Sequence, residues 1–444
     1  MSIYFYELPT TGTISYSDFC KDSTADKLFS THISDATQSR ANLRAVLKES
    51  KRTQDDEKDH LRLVKILDEY LPKLRGIMAC VDNGQIELKS EPTFSWRTTL
   101  SANLFNNSPR LNLPSLHAEL AYTLLTYAFA LSNLAHAKAA LLGAYERDRA
   151  ISAADRKAKE MQLTAAADML CRASGIFSYI GETVLVAWDA SGNSAAVAKP
   201  PDLSREVNNA LAKLALADAQ TLSIRRLLSK SADDNNVTPG PPLPTSHPPP
   251  AFIAKLHLEC ANLYSSARTL AKTPGGAPSK GKGININIGK EGEVSAELRR
   301  YLSDENSLQE ALSHKWLGVD AGENGGTDRG GDAVGFLVWA RKELEELKGR
   351  KKERVADELD RVTVFLKHYK KINDSLHFQP VPSQADLQAR IPAGKLVLPA
   401  KPFVPPQPAF GPGSVEDLRR QAEDLELHDA PAQQGTYAGA GSYF

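Results

Sequence analysis

Residues Ala311–Leu344 decide the fold class. They read Ala311-Leu-Ser-His-Lys-Trp-Leu-Gly-Val-Asp320, pass through a glycine-rich gap, and continue as Ala333-Val-Gly-Phe-Leu-Val-Trp-Ala-Arg-Lys-Glu-Leu344. Each flank carries a tryptophan on an apolar stripe at helical spacing, which predicts one helix that ends at Gly318 and a second that begins near Asp332. Two such helices joined by a short polar link form a helical hairpin. A stack of hairpins makes a curved scaffold, which favours a protein that holds other proteins over a catalyst.

Helical spacing of apolar residues recurs along most of the 444 residues, which are enough for one large domain or a few smaller ones. The predicted helices lie from about Ser34 to Leu74 and at Leu113–Asp148, Ala153–Trp188, Pro201–Ser229, Phe252–Lys272, Val294–Leu317 and Asp332–Leu376. The first thirty residues mix aromatic and β-branched types, which predicts one or two short strands. Asp82-Asn-Gly84 predicts a turn, and Ile86–Trp96 has no clear period and is expected to be irregular.

Proline, glycine and polar residues mark the segments between and after the helices. Asp233–Pro250 is proline-rich and predicts an exposed loop of polyproline character, and Pro274–Gly292 is rich in glycine and lysine. After Pro380 the chain is expected to be extended, because proline disfavours both regular helix and strand pairing. We assign residues 1–410 to one domain with insertions at about 231–250 and 274–292, and residues 411–444 to a flexible tail with a short amphipathic helix at Ser414–Leu427.

Charge and cysteine content limit the classes of function. The 54 lysines and arginines balance the 54 aspartates and glutamates, so the chain has no global attraction for nucleic acid, and no nucleic-acid partner is expected. The four cysteines lie far apart and are predicted to be buried free thiols in a reducing compartment. We recognise neither a signal peptide nor an apolar run long enough to span a membrane, so the protein is expected in the cytoplasm.

No motif of known chemistry predicts an active site. Gly276–Gly283 resembles a phosphate-binding loop but carries Gly283 in place of the Ser or Thr that reaches Mg²⁺, so a flexible linker is the favoured interpretation. The ten histidines show no metal-ligand spacing, and no nucleophile elbow is recognised. We therefore predict no catalytic residues, no metal and no cofactor. The basic run Lys348–Arg354 is interpreted as a solvated helix face, with an acidic lipid or protein contact as the alternative.

The helix Pro201–Ser229 carries the candidate binding residues. One apolar stripe comprises Val207, Leu211 and Leu214, with Asp218 further along it, and a second side carries Leu216, Ala219, Leu222 and Leu227. If one stripe packs into the core, the other faces outward, where an exposed apolar patch accepts an amphipathic helix from a partner. The alternative is that both stripes are buried, which suits their composition equally well.

Several segments, taken in order, resemble the BRO1 domain family over about residues 1–410. They are Leu116–Leu134, Ala173–Leu185, Leu216-Ala-Asp-Ala-Gln220, the Leu-Tyr-x-x-Ala pattern within Leu256–Lys272, and Val381-Pro382 followed by Lys395–Pro399. The stretch Lys315–Glu323 is similar to a fungal pH-response branch of that family. Each motif is weak alone, and their order and spacing together carry the resemblance.

The resemblance implies a mainly α, elongated, banana-shaped domain with a tetratricopeptide-like core and a small N-terminal β-sheet. It implies a non-catalytic adaptor in ambient alkaline-pH signalling, which binds the C-terminal amphipathic helix of an ESCRT-III subunit in an apolar groove. A plasma-membrane pH-receptor complex is a second implied partner. Peripheral recruitment from the cytoplasm to cortical sites or endosomes would follow.

The resemblance also assigns residues to the groove. Leu211 and Leu214 correspond to its apolar anchors, and Val207 lies on their stripe. Asp218 stands where the family has a glutamine and would lie on the polar rim, and Arg268 and Leu270 on the neighbouring helix are further candidates.

Two other functions stay open from the sequence. One is a helical scaffold whose proline-rich tail docks in an aromatic groove of a different partner. The other is an enzyme whose site no motif reveals.

Overall fold

The computed structural model describes residues 3–54, 58–101, 109–148, 150–192, 199–229, 231, 240–272, 294–347 and 352–429. The chain folds into two compact units. The first comprises residues 1–12, 44–65 and 93–404, and the second comprises residues 13–43, 66–92 and 405–444. Most of the described residues are helical, which confirms the predicted mainly α class.

Regular elements follow the sequence periodicity closely. The helices are α1 Tyr16–Phe19, α2 Ser30–Arg52, α3 His60–Asp82, α4 Leu116–Leu141, α5 Ala153–Tyr179, α6 Leu185–Ala190, α7 Arg205–Ser229, α8 Pro250–Lys272, α9 Ala296–Asn324, α10 Gly330–Leu347, α11 Lys352–Ile372, α12 Gln384–Gln388 and α13 Val415–Asp429. The strands are β1 Cys20–Asp22, β2 Ile86–Leu88, β3 Thr93–Arg97 and β4 Arg110–Pro114. A π-helical turn, Ile180–Val184, joins α5 to α6, and another, Asn373–His377, follows α11.

The long helices of the first unit pack in chain order. α4 packs on α5, α5 on α7, α7 on α8, α8 on α9, α9 on α10 and α10 on α11. This serial packing is the stack of hairpins that the sequence predicts. α4 is apolar on every side and almost entirely buried, because other elements cover it all round. Its start at Ser115, whose hydroxyl accepts a bond from the N–H of His117, matches the predicted start signal.

The stretch that predicts the hairpin lies in α9 and α10, but α9 does not end at Gly318. It continues to Asn324, and Gly318 lies where α10 packs closely: a Cβ at this position would be 2.7 Å from Cγ of Leu337. The glycine permits a close helix–helix contact instead of ending a helix. Lys315 of the same stretch is buried and forms a 2.7 Å ion pair with Glu358 of α11.

Two predicted helices have different bounds in the structure. Asp332–Leu376 forms two helices, α10 and α11, which pack against each other, whereas the sequence predicted one. Most of the basic run between them lies outside the described residues. Its last member, Arg354, is half-buried and pairs with the buried Glu305 at 3.3 Å, and the interpretation of the run as a solvated face stays a prediction. Leu113–Asp148 is shorter than predicted, because α4 ends at Leu141.

Two small antiparallel sheets accompany the helices. β1 pairs with β2 in the second unit, and β3 pairs with β4 in the first, where Trp96 lies opposite Leu111. One strand thus forms among the first thirty residues, as predicted. The expectation that Ile86–Trp96 is irregular is wrong, and the alternation of Phe94 and Trp96, both fully buried, is the period-two signal of β3.

The predicted loops and tail are only partly described. Pro274–Gly292 lies outside the described residues. Residues 240–249 form a loop that is anchored, not wholly exposed: the N–H of Leu243 donates to Glu323, and the His247 ring centroid lies 5.0 Å from that of Trp316. α13 confirms the predicted helix after Ser414. The division of the chain at residue 410 stays a prediction.

One helical stretch, Ala153–Ala190, is long and apolar enough to cross a membrane by length and composition alone. In the fold, 61% of its apolar window is buried, as expected of a core helix. All four cysteines are buried and free. The part of the chain that the structure describes contains no group of three or more potential metal ligands.

Candidate partner-binding site

Both apolar stripes of α7 are buried, except for the half-buried Leu227 near the end of the helix. Val207, Leu211 and Leu214 expose at most 3% of their surface, and Leu216 and Leu222 on the other side are buried as well. α7 packs between α5 and α8 and is covered on its remaining sides, so the first stripe has no outward face. The expectation that this stripe lines an exposed groove is therefore wrong, because a partner helix reaches these side chains only if the core opens.

Asp218 lies at the centre of a buried hydrogen-bonded cluster, and its predicted place on a polar rim is wrong. Its Oδ1 accepts bonds from the hydroxyls of Tyr264 at 2.6 Å and Tyr301 at 3.1 Å. Its Oδ2 lies 3.1 Å from Nε2 of His136, which donates when the proton is on that nitrogen. These residues come from α4, α7, α8 and α9, so one carboxylate joins four helices. We call the four residues the Asp218 cluster.

Electrostatics fixes the donors in the Asp218 cluster. Burial raises the pKa of Tyr264 and Tyr301 well above the usual 10, and the nearby Asp218 carboxylate raises it further. Both hydroxyls therefore stay protonated and donate to the carboxylate at any physiological pH. The cluster holds helices together and has no opening toward a substrate, because all four side chains are buried.

The other side of α7 is covered by residues 392–404, which we call the C-terminal strap. Gln220 lies two residues after Asp218, about 200° around the helix, and is fully buried under the strap. Its Nε2 donates to the carbonyl of Lys395 at 3.0 Å. Its Oε1 accepts from the N–H groups of Val397 and Leu398, each at 3.3 Å. The side-chain amide of Gln220 thus supplies the backbone hydrogen bonds that a neighbouring strand would otherwise provide to this extended segment.

The C-terminal strap also bonds to the helices on both sides of α7. The N–H of Lys395 donates to the carbonyl of Lys255 on α8 at 3.0 Å, and the N–H of Lys401 donates to the carbonyl of Cys171 on α5 at 3.1 Å. Gly175 permits this approach, because a Cβ there would lie 1.7 Å from the carbonyl oxygen of Lys401. The part of the predicted extended segment that forms the strap is therefore an integral part of the first unit, whereas residues from 405 on belong to the second unit and Gln384–Gln388 is helical, contrary to the prediction.

An open depression of about 660 Å³ lies between the first half of α5 and the end of α7. It is lined by Ile151, Ala153, Arg156, Lys157, Glu160, Met161 and Arg226. Met161 is 65% exposed, and three cationic side chains surround it against one carboxylate. The hydroxyl of Ser229 donates to Glu160 at 2.7 Å and holds that carboxylate toward α7. This surface, the α5–α7 depression, suits an amphipathic helix that carries acidic residues beside its apolar ones.

The two remaining predicted site residues lie elsewhere. Arg268 and Leu270 are on the last turns of α8 and are half-buried. Arg268 follows Tyr264 of the Asp218 cluster by one helical turn, and the structure does not place it among the residues that line the α5–α7 depression. Contact of Arg268 and Leu270 with a partner stays a prediction.

Sequence reasoning missed the residues of the depression, although one signal was available. Met161 lies two residues before the buried Leu163, so it is an apolar residue on the polar side of α5. A single exposed apolar side chain is ordinary, and Met161 is a candidate for contact only because cationic side chains line the same depression. Gln220 offered no comparable signal, because its partner Lys395 is 175 residues away in the chain.

Comparison with known proteins agrees with this architecture. The model of the BRO1-like domain family matches residues 21–422. The pH-response regulator protein palC of Cryptococcus neoformans var. neoformans serotype D (strain B-3501A) is 37% identical in an alignment 497 positions long, which covers all of both chains. The protein of the same name from Yarrowia lipolytica (strain CLIB 122 / E 150) is 26% identical, also over the whole of both chains.

Solved structures share the fold. The BRO1 domain of ALIX in a complex with CHMP4C matches with a TM-score of 0.62 and 20% identity, covering 91% of this chain and 96% of that one. ALIX in complex with the SIVmac239 late domain matches with a TM-score of 0.64 and 19% identity over 91% of this chain. The chain spans half of the length of that ALIX chain.

The protein therefore belongs to the BRO1-like domain family. Its identity to palC over the full length places it, within that family, among the pH-response regulators. Both conclusions confirm the resemblance that the sequence motifs indicate.

Proposed function

We propose that the protein is a non-catalytic adaptor of ambient alkaline-pH signalling, whose BRO1 domain binds the C-terminal amphipathic helix of an ESCRT-III subunit. The full-length match to palC regulators is the observation that carries the proposal. The fold shared with the ALIX BRO1 domain that is in complex with CHMP4C supports a partner of this kind. Through this contact the protein helps to recruit the signalling complex, including the pH receptor, at the cell cortex.

The proposed docking surface is the α5–α7 depression. The α7 stripe is buried, whereas Met161 is exposed and available to an apolar face of a partner helix. Arg156, Lys157 and Arg226 surround it and attract carboxylates on the rim of that helix. A single helix on an open depression buries little area, so we expect an affinity on the order of micromolar.

Titration of the purified protein with a labelled peptide of the ESCRT-III C-terminal helix tests this docking. Met161→Asp and Arg226→Glu should each weaken binding by about tenfold or more, because one removes the apolar contact and the other reverses a rim charge. Val338→Asp is the matched control, since Val338 is half exposed on α10. Unchanged affinity in both depression variants would place the peptide elsewhere.

Leu214→Asp separates this surface from the groove first assigned to α7. Leu214 is 1% exposed, so an aspartate there would be a buried unpaired charge, and we expect loss of cooperative unfolding. Circular dichroism with thermal melting measures this outcome. A variant that stays folded and no longer binds the peptide would restore Leu211 and Leu214 as groove residues.

A scaffold that acts through its proline-rich tail is the second candidate. The C-terminal strap is bonded to three helices, so truncation after Pro380 removes part of the fold and does not test the tail cleanly. Truncation after Phe410 keeps the strap. If this shorter chain retains peptide binding, residues 411–444 are not the docking element, and the proline-rich residues before Phe410 stay the alternative.

Recruitment to cortical sites or endosomes is the cellular part of the proposal. The Bro1 domain whose structure is described as a basis for endosomal targeting has the same fold, with a TM-score of 0.55 and 16% identity. A fluorescent fusion that carries Met161→Asp should lose its cortical foci if the ESCRT-III contact recruits the protein. Foci that persist in this variant would show that a contact other than the ESCRT-III helix, such as the pH-receptor complex, recruits the protein.

A further inference from the structure

Residues 373–381, which we call the 373–381 segment, expose an unusual amount of apolar surface. Leu376 is 71% exposed, Phe378 is 74% exposed and Val381 is 52% exposed. Three large apolar side chains within six consecutive residues thus lie mostly in solvent. Single exposed apolar residues are ordinary, whereas a group of them marks a contact surface.

The backbone holds this surface in a strained but fixed conformation. Phe378 has φ 51° and ψ 28°, the left-handed region in which glycine is favoured and a bulky aromatic residue is rare. It closes a π-helical turn, since its N–H donates to the carbonyl of Asn373 at 2.7 Å. The side chain of Asn373 bonds to Gln379 in both directions, at 2.9 and 3.2 Å. The backbone is strained at an exposed aromatic residue, and the surrounding hydrogen bonds hold it in that conformation. This combination indicates a functional role.

The surface next to the 373–381 segment is cationic. Lys367, Lys370 and Lys371 are exposed on the last turns of α11, directly before the π-helical turn. Asp374 is the single acidic residue from 367 to 381, and it forms a 2.7 Å ion pair with Lys370. Exposed aromatic and aliphatic side chains beside an excess of lysines are the combination that binds the interface of an anionic bilayer.

We propose that the 373–381 segment, with the lysines at the end of α11, docks the protein on anionic lipid membranes. Phe378 and Leu376 enter the interfacial region, and Lys367 and Lys371 contact lipid phosphates. A second copy of the chain fits this surface poorly, because a two-fold contact sets the same lysines against each other. Two or three apolar side chains give weak, reversible attachment. This surface is distinct from the α5–α7 depression and adds a lipid contact to the proposed protein contact.

Co-sedimentation of the full chain with vesicles tests the proposal. Vesicles of phosphatidylcholine mixed with phosphatidylserine should bind the protein, and vesicles of phosphatidylcholine alone should bind it much less. Phe378→Gly should lower the partition coefficient by about tenfold, because it removes the inserted ring. Lys367→Ala and Lys371→Ala should each lower it by about fivefold. Added salt should weaken the binding as well, since it screens the lysines.

Glycine at position 378 suits the left-handed conformation, so the Phe378→Gly protein should fold at least as well as the parent. Its affinity for the ESCRT-III peptide should be unchanged, which keeps the two proposals separable. No binding to phosphatidylserine vesicles would overturn the lipid proposal, as would binding that Phe378→Gly and the lysine variants leave intact. Self-association that Phe378→Gly abolishes would instead assign the surface to a second copy.

Discussion

The Asp218 cluster and the 373–381 segment distribute polar and apolar groups in opposite ways. Around Asp218, a carboxylate, an imidazole and two hydroxyls lie inside the core and bond to one another across four helices. In the 373–381 segment, large apolar side chains lie in solvent, and the buried amide of Asn373 fixes the backbone that displays them. Each region departs from the usual inside–outside pattern.

The difference indicates what each region is for. Buried polar groups are costly to desolvate, so a cluster in which the carboxylate has three donors specifies how α4, α7, α8 and α9 meet. Exposed apolar side chains do not stabilise the isolated fold. Their exposure is therefore explained by a contact with another molecule. We therefore expect substitutions in the Asp218 cluster to change stability and substitutions in the 373–381 segment to change binding.

Asp218→Ala should have the largest effect on stability. It leaves the hydroxyls of Tyr264 and Tyr301 and the Nε2 of His136 buried without their acceptor, at a cost of about 4 kcal/mol. The free energy of unfolding from urea titration measures this. Asp218→Asn keeps an acceptor oxygen for the tyrosines and should cost less than half as much. A loss below about 1 kcal/mol in Asp218→Ala would show that the cluster does not organise the core.

His257 extends the comparison to the pH dependence of the core. It is buried on α8 with its Nδ1 2.7 Å from Oε1 of Gln309, and burial lowers its pKa from 6.5 to about 4. A histidine with a depressed pKa takes up its proton more readily in the unfolded chain. Stability should therefore fall as pH drops from 6.5 toward 4, by up to about 3 kcal/mol.

A difference measurement isolates this contribution, because other groups titrate in the same range. Burial raises the pKa of Asp202 to about 6, for example, which works in the opposite sense. The His257→Gln protein should lose less stability than the parent between pH 6.5 and 4 in urea titrations. Equal slopes for parent and His257→Gln would contradict the assignment.

The helices could be predicted because their cause is local. Apolar residues at helical spacing and caps such as Ser115 act within a few residues, so α7, α8 and α13 appear close to their predicted bounds and α4 begins close to its predicted start. A glycine predicts the end of a helix less reliably than these local signals do. The sequence predicts a helix end at Gly318, but the role of this glycine depends on Leu337 of the next helix, which no local pattern reveals.

The burial of the α7 stripe could not be predicted from the sequence of α7 alone, because exposure depends on what covers a helix. The stripe of Leu211 and Leu214 has the same pattern whether it faces solvent or core. Gln220 is an example, because Lys395 of the strap that covers it lies 175 residues later in the chain. Asp218 is likewise a residue type expected on a solvated rim. Only the positions of Tyr264 and Tyr301 make it a core residue.

Phe378→Gly should produce the smallest change in stability, and the sign of that change distinguishes backbone strain from packing of the ring. Phe378 lies in the left-handed region and its ring is mostly in solvent, so glycine relieves strain and loses little burial. The greater freedom of glycine in the unfolded chain offsets part of this gain. We expect a net stabilisation of about 0.5–1 kcal/mol, measured by urea titration.

Leu376→Gly is the matched variant with the opposite expected sign. Leu376 is equally exposed but lies within the π-helical turn, where glycine costs about 1 kcal/mol as it does in other helical interiors. Both variants remove one exposed apolar side chain, so a loss of packing would destabilise both. If Phe378→Gly is stabilising and Leu376→Gly is destabilising, the native fold keeps Phe378 in a strained conformation that lowers its stability. A destabilised Phe378→Gly protein would mean that the ring contributes to the fold, and the argument for an outside contact would lose its basis.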